Sequence, residues 1–317
     1  MKGESALCVM VDEYVSLRRG LGFKCGNEAR WLHDFALYLE QRGITRVTTA
    51  EAVRWATRPA SAQPAHWAAR LRVVRRFALH LSSFDERTEV PPVGLLPFYP
   101  RRRPPYLYTD DQVRKLLVAA RQLRAGNGIR ENGIRAKTLI TFIGLLAVTG
   151  LRSSEAIALD DQHVDLQQGI ITVREGKYRK SRLVPVQPST VRALRDYAQA
   201  RDRVFRRRPT EGFFVGWNGD RLHVDAVQYT FRQLCRRAGV QADPGHRQPR
   251  LHDFRHRLAV RALIHWYRCG ADVEHHLPTL STYLGHVHIA DTYWYLTAVP
   301  ELLRLASDRL ERQRRNA

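Results

Sequence analysis

The stretch Leu139–Glu155, LITFIGLLAVTGLRSSE, decides how the chain is read. It carries no charge from Leu139 to Leu151, and a helix apolar on every side belongs in a core. The run is too short to cross a bilayer, and Arg152 follows it directly. Gly150 supplies the residue type that most readily takes the left-handed backbone closing a helix. The pattern predicts a buried helix from about Arg135 to Val148, stopped at Gly150, which delivers Arg152 to the edge of the core. An arginine placed that way is a better candidate for a working group than one scattered on a charged surface.

Working outward, Thr109 caps an earlier helix, with Asp110 and Asp111 where negative charge suits the helix dipole. Downstream, Gly169–Val173 and Arg182–Val186 bracket a polar, glycine-containing turn and predict a β-hairpin with Lys177 near its tip. Helices are expected at about 188–207, 224–238 and 252–268, with a short strand-like Phe213-Phe214-Val215 between the first two. Residues 1–84 read as a helical bundle. Trp31, Phe35 and Leu39 recur every four residues, Thr48 or Thr49 caps a short helix through Ala56, and Trp67, Leu71, Val74 and Leu81 share one face. Arg70, Arg72, Arg75 and Arg76 are expected on the surface of that bundle. Six prolines and Arg101-Arg102-Arg103 mark 85–108 as a basic linker. The fold class is mainly α with a small antiparallel β-sheet (α+β). The expected divisions are 1–84, a helical bundle; 85–108, the linker; 109–300, a second domain; and 301–317, a tail.

The 317 residues carry 52 Lys and Arg against 31 Asp and Glu, a formal charge of +21 with a pI near 10.6. Such a surplus repels itself unless a polyanion neutralises it, which points to nucleic acid. Arginine-rich composition contributes to the count. A basic membrane-surface protein would need an amphipathic anchor or lipidation signal, and neither is found. Met1-Lys2-Gly3-Glu4 has no signal-peptide pattern, and Cys8, Cys25, Cys235 and Cys269 lack metal-ligand spacing. Free thiols and a cytoplasmic location are therefore expected.

Five short motifs then occur in order: Thr149-Gly150-Leu151-Arg152, Gly176-Lys177, His252-Asp253-Phe254-Arg255, Leu284-Gly285-His286, and Tyr295 nine residues on. They supply two guanidiniums, an ammonium, two imidazoles and a phenol. A phosphodiester concentrates negative charge on its non-bridging oxygens as it is attacked, and the planar, always-charged arginine fork matches those oxygens. Tyrosine, with a pKa of about 10, needs neighbouring cations or a base to act as a nucleophile. Lys177 on a hairpin tip is suited to protonate a departing 5′ oxygen.

This ordered set resembles the tyrosine recombinases, also called the phage integrase family, over roughly residues 105–300. The N-terminal bundle and basic linker resemble the family's core-binding (SAM-like) domain in character. The resemblance implies a site-specific DNA recombinase that cuts and rejoins strands through a covalent 3′-phosphotyrosyl link, without metal, ATP or other cofactor. By it, Arg152, His252, Arg255 and His286 bind and activate the scissile phosphate, Lys177 serves the leaving group and Tyr295 is the nucleophile. Glu155 is an orienting acidic residue. The implied partner is double-stranded DNA, engaged by a homotetramer on two duplexes. The segment Glu301–Arg315 is either a helix that docks on a neighbouring protomer or an ordinary terminal helix on its own core. Tyr293 competes with Tyr295, and Lys180 with Lys177. Tyr267–Pro278 reads as a polar insertion of no assigned role.

Three rivals stand beside this reading. A metal-dependent nuclease would draw on His275, His276, His286 and His288, whose spacing matches no compact metal motif. A DNA-binding protein without catalysis would not need a phenol beside a phosphate site. A type IB topoisomerase shares the chemistry but would carry a long helical linker region.

Overall fold

A computed structural model describes residues 6–98, 104–123, 133–174, 181–285 and 288–316. The chain divides into two compact units, residues 1–102 and 103–317. In the first, α1 (Ala6–Gly20), α2 (Gly26–Glu40), α3 (Thr49–Thr57) and α4 (Pro64–Leu81) form a bundle. Thr48 caps α3 by accepting from Glu51 N–H at 3.3 Å, and Pro64 opens α4, where its missing donor costs nothing. Val11, Leu32, Phe35, Leu39, Trp55, Val74 and Phe77 fill the core.

Arg70 departs from expectation. It is only 7% exposed, its guanidinium lies 3.7 Å from the Trp55 ring centroid, and Nη2 donates to the Trp55 carbonyl at 3.2 Å and to Asp34 at 3.4 Å. The aromatic face and Asp34 come from α3 and α2, and together they make burial of this cation tolerable. Of the 85–108 stretch, Val90 and Leu96 pack on the bundle and Arg72 stacks on Phe98. Tyr108 stacks on Phe254 of the second unit and donates to the Arg250 carbonyl at 2.9 Å. Arg101–Arg103 lie outside the described residues.

The second unit begins with α5 (Asp110–Arg121), whose Thr109 and Gln112 cap each other's backbone N–H groups reciprocally at 3.1 Å. Next come α6 (Ile134–Thr149) and the single-turn α7 (Ser153–Ile157). Strands β1 (Val164–Asp165), β2 (Ile170–Val173) and β3 (Arg182–Pro185) form an antiparallel sheet in the order β1-β2-β3, with Val164 opposite Ile171 and Ile171 opposite Val184. The chain continues as α8 (Pro188–Val204), α9 (Val224–Arg237), α10 (Asp253–Arg268), α11 (Val273–Leu284), α12 (Ala290–Ala298) and α13 (Pro300–Asn316). The central α6 packs against α5, α8 and α10, and the last of these against α11, α12 and α13. Phe213, Phe214 and Val215 are buried beneath α6 and α8 and form no regular strand; isolated bridges at Gly212 and Val215 and hydrogen bonds from Thr138, Tyr197 and Arg201 hold the segment in place.

The stretch Tyr267–Pro278, read as an insertion, is the end of α10, a turn and the first half of α11. Asp272 caps α11 by accepting from His275 N–H at 3.2 Å, and His276 stacks on Trp266. The buried residues Val273, Leu277, Leu280 and Leu284 turn the other face inward. Helix α13 lies on its own core: Leu302 is buried, Glu301 pairs with Arg268 at 2.7 Å, and Arg309 donates to the Ala271 carbonyl at 2.6 Å. Among the described residues no helix is long and apolar enough to cross a membrane.

Candidate functional site

The site forms where α6, α10 and α11 end or begin together. Gly150 closes α6 with φ of +63°, and a Cβ there would lie 2.8 Å from Leu258 Cδ2. The turn sets Arg152 just ahead of α7. Its backbone N–H donates to Glu155 Oε2 at 3.0 Å, Nη1 to Glu155 Oε1 at 2.6 Å and Nη2 to the Gly285 carbonyl at 3.1 Å. Arg255, in the first turn of α10, is 1% exposed. Its Nη1 donates to the Gly150 carbonyl at 3.1 Å and its Nη2 to the Leu284 carbonyl. Two arginines 103 positions apart in sequence thus end on consecutive carbonyls at the C-terminus of α11. That helix end carries partial negative charge, which suits them.

A third guanidinium joins them. Arg182, the first residue of β3, donates to the Tyr283 carbonyl at 2.9 Å and to both Glu155 oxygens at 3.2 and 2.8 Å. Burial by itself would raise the Glu155 pKa, but Arg182 and Arg152 outweigh it and hold the carboxyl at about 2. Burial and the charge of Arg152 pull Arg255 down from the ordinary arginine value. His252 is lowered to about 4, first by burial and then by Arg255, Arg250 and Arg152, so it is neutral at pH 7. A neutral imidazole can donate one hydrogen bond to an anion without adding another charge to a crowded cationic pocket.

Tyr295, on α12, is 2% exposed, while Tyr293 is 44% exposed. The Tyr295 hydroxyl shares a 2.9 Å hydrogen bond with His256 Nδ1. The His256 ring stands 4.7 Å from that of His252, and its Nε2 lies 4.0 Å from the carboxylate of Asp253. An ionised Tyr295 would raise the pKa of Arg255. The structure therefore gathers Arg152, His252, Arg255 and Tyr295 into one neighbourhood. Lys177, its competitor Lys180 and His286 lie outside the described residues.

Two contributors were not singled out from sequence. His256 sits four positions after His252, one helical turn along the same face, and that spacing was a usable signal. Arg182 carried no local signal beyond opening a strand. Among the described residues no three His, Cys, Asp or Glu side chains are grouped as a metal cage, and His275, His276 and His288 make none.

Residues 107–301 match the sequence pattern of the phage integrase family. The chain is similar to the integrase/recombinase y4rB of Sinorhizobium fredii, 44% identical over 304 residues covering 96% of each chain. It is also similar to the integrase/recombinase y4rE of the same organism, 36% identical over 94% of each chain. In fold it resembles the Tn1549 transposon integrase in complex with transposon right end DNA. The TM-score is 0.66 at 16% identity, over 96% of this chain and 98% of that one.

Proposed function

Since the chain belongs to the phage integrase family of tyrosine recombinases, we propose that it cuts and rejoins double-stranded DNA through Tyr295. The observation that carries this reading is the meeting of Arg152 and Arg255 on the adjoining Gly285 and Leu284 carbonyls, beside His252 and the Tyr295–His256 pair. Two fixed guanidiniums suit the non-bridging oxygens of a phosphodiester and the charge that grows on them. Their positions are set before DNA arrives, so little reorganisation is needed in the transition state.

In the proposed reaction the Tyr295 oxygen attacks phosphorus, the bond to the 5′ oxygen breaks, and a 3′-phosphotyrosyl ester remains. Lys177 delivers a proton to the departing 5′ oxygen, and His252 and His286 donate hydrogen bonds to the phosphate. One phosphoester replaces another, so the bond energy is kept and rejoining requires no ATP. The side chains supply the positive charge and protons that the step demands, and no metal or cofactor is assigned to it. The helical first unit and the basic residues beyond it would hold the duplex. Four protomers on two duplexes would complete the exchange, in the cytoplasm.

Covalent trapping tests the reading. Nicked duplexes carrying candidate target sequences are incubated with protein in EDTA and separated under denaturing conditions. A protein–DNA adduct absent only from Tyr295→Phe is expected. An adduct that survives the change would move the nucleophile elsewhere, with Tyr293 the first alternative. Tight, sequence-selective binding with no adduct would favour a DNA-binding protein without catalysis.

A further inference from the structure

The reading above leaves the phenol's own proton unassigned. Its hydroxyl is 2.9 Å from His256 Nδ1, a residue outside the five motifs. Behind that imidazole, Nε2 faces the fully buried carboxylate of Asp253 at 4.0 Å, and Arg250 fixes the carboxylate through N–H at 2.8 Å and Nη2 at 3.2 Å. Asp253 and His256 stand three apart on α10, so one helix face holds both in line with Tyr295 on α12. Nucleophile, imidazole and carboxylate then follow one another, an order suited to moving a proton off a hydroxyl.

Resting on Tyr295 as nucleophile, we propose that His256 positions the phenol and accepts its proton during attack. The O–H bond of Tyr295 breaks and its proton passes to His256. The freed oxygen pair bonds to phosphorus, and the P–O5′ bond breaks with the 5′ oxygen protonated by Lys177. On rejoining, the 5′ hydroxyl attacks and gives its proton back to Lys177, the bond from phosphorus to the Tyr295 oxygen breaks, and His256 returns the proton to that oxygen. The same imidazole thus serves both directions. Among the described residues, the titratable and charged groups facing it are Asp253 and His252 from α10 and Tyr295 from α12, with the charge of Arg255 nearby. The Trp294 ring flanks the imidazole, 5.6 Å between centroids.

The test is single-turnover cleavage of a nicked duplex across pH by wild type, His256→Asn and His256→Gln. Asn places a hydrogen-bonding atom near the Nδ1 position but cannot take a proton, and Gln is the second variant should Asn fail to fold. Expected are a cleavage rate lower by about 10²–10⁴-fold, an acid limb flattened relative to wild type, and unchanged DNA affinity. A duplex with sulfur in place of the bridging 5′ oxygen has a leaving group that needs no acid. It should rescue Lys177→Ala and leave His256→Asn slow. Rescue of His256→Asn by the sulfur, or a wild-type rate and pH profile in that variant, would overturn the assignment. An adduct persisting in Tyr295→Phe would instead overturn the reading on which it rests.

Discussion

Replacing Glu155 with glutamine removes the carboxylate bonded to both Arg152 and Arg182 while keeping its shape. The carboxyl is held at about 2 against an ordinary 4.5. At about 1.4 kcal/mol per pH unit, that drop corresponds to about 3 kcal/mol of stability in the ionised form. Because the folded-state value is depressed, this contribution is fully present above pH 4.5 and is lost as pH falls toward 2. Glu155→Gln should therefore be less stable than wild type by about 3 kcal/mol at pH 7, with the gap shrinking below pH 4.5. Urea unfolding followed by far-UV circular dichroism, with separate transitions for the two units, reads this directly. The first-unit transition is the internal reference and should not move. A gap below about 1 kcal/mol at pH 7, or one that stays constant from pH 5 to pH 3, would refute the argument. It would mean that the two arginines hold their places without the carboxylate.

Three further outcomes are expected. Arg70→Ala removes the cation between Trp55 and Asp34 in the first unit and should lower that unit's urea transition by about 2 kcal/mol, leaving the second unit's transition in place. Gly285→Ala puts a Cβ 2.9 Å from Arg182 Nη1 at a φ of +67°, costing roughly 1 kcal/mol in backbone strain and displacing Arg182 from Glu155. Its cleavage rate should fall further than its DNA affinity when the two are measured side by side. His252 is depressed from 6.5 to about 4, so the stability tied to its neutral form is present above pH 6.5 and lost as pH falls through 4. The Tm of His252→Gln should accordingly decline less than that of wild type between pH 6.5 and 4 in calorimetric scans.

The features legible in the sequence were those with local causes. The apolar run before Gly150, the Thr109 cap and the Gly169 hairpin each follow from neighbours within a few residues, and each formed. Helix α11 was hidden because Glu274, His275 and His276 dominate its first turns. Its inward positions, Val273, Leu277, Leu280 and Leu284, nonetheless follow helical spacing. Arg70 was misplaced because its burial depends on Trp55 and Asp34 from two other helices, which no single-helix pattern contains. The candidate site divides the same way. Arg152 was conspicuous from its own turn, whereas its approach to Arg255 depends on two carbonyls of α11, and Arg182 enters through the sheet.

Those carbonyls explain how the cationic pocket exists at all. Among the described residues, Arg152, Arg182 and Arg255 crowd around one carboxylate, Glu155, while Asp253 is engaged by Arg250. Three buried or half-buried positive charges against one negative would be costly if the remainder were unscreened. The ends of α6 and α11 supply the difference. Gly150, Tyr283, Leu284 and Gly285 all present carbonyls to these guanidiniums at the negative poles of their helices. Partial charges soften the repulsion without cancelling it: burial first, and then the charge of Arg152, lower the pKa of Arg255. The pocket thus keeps a positive excess that a phosphodiester anion would neutralise, while neutral His252 adds a donor and no further charge. The two glycines serve the same end. Each lets its helix stop in the left-handed turn that turns the carbonyls toward arginines arriving from other elements, so helix termination and the gathering of the guanidiniums share one piece of geometry.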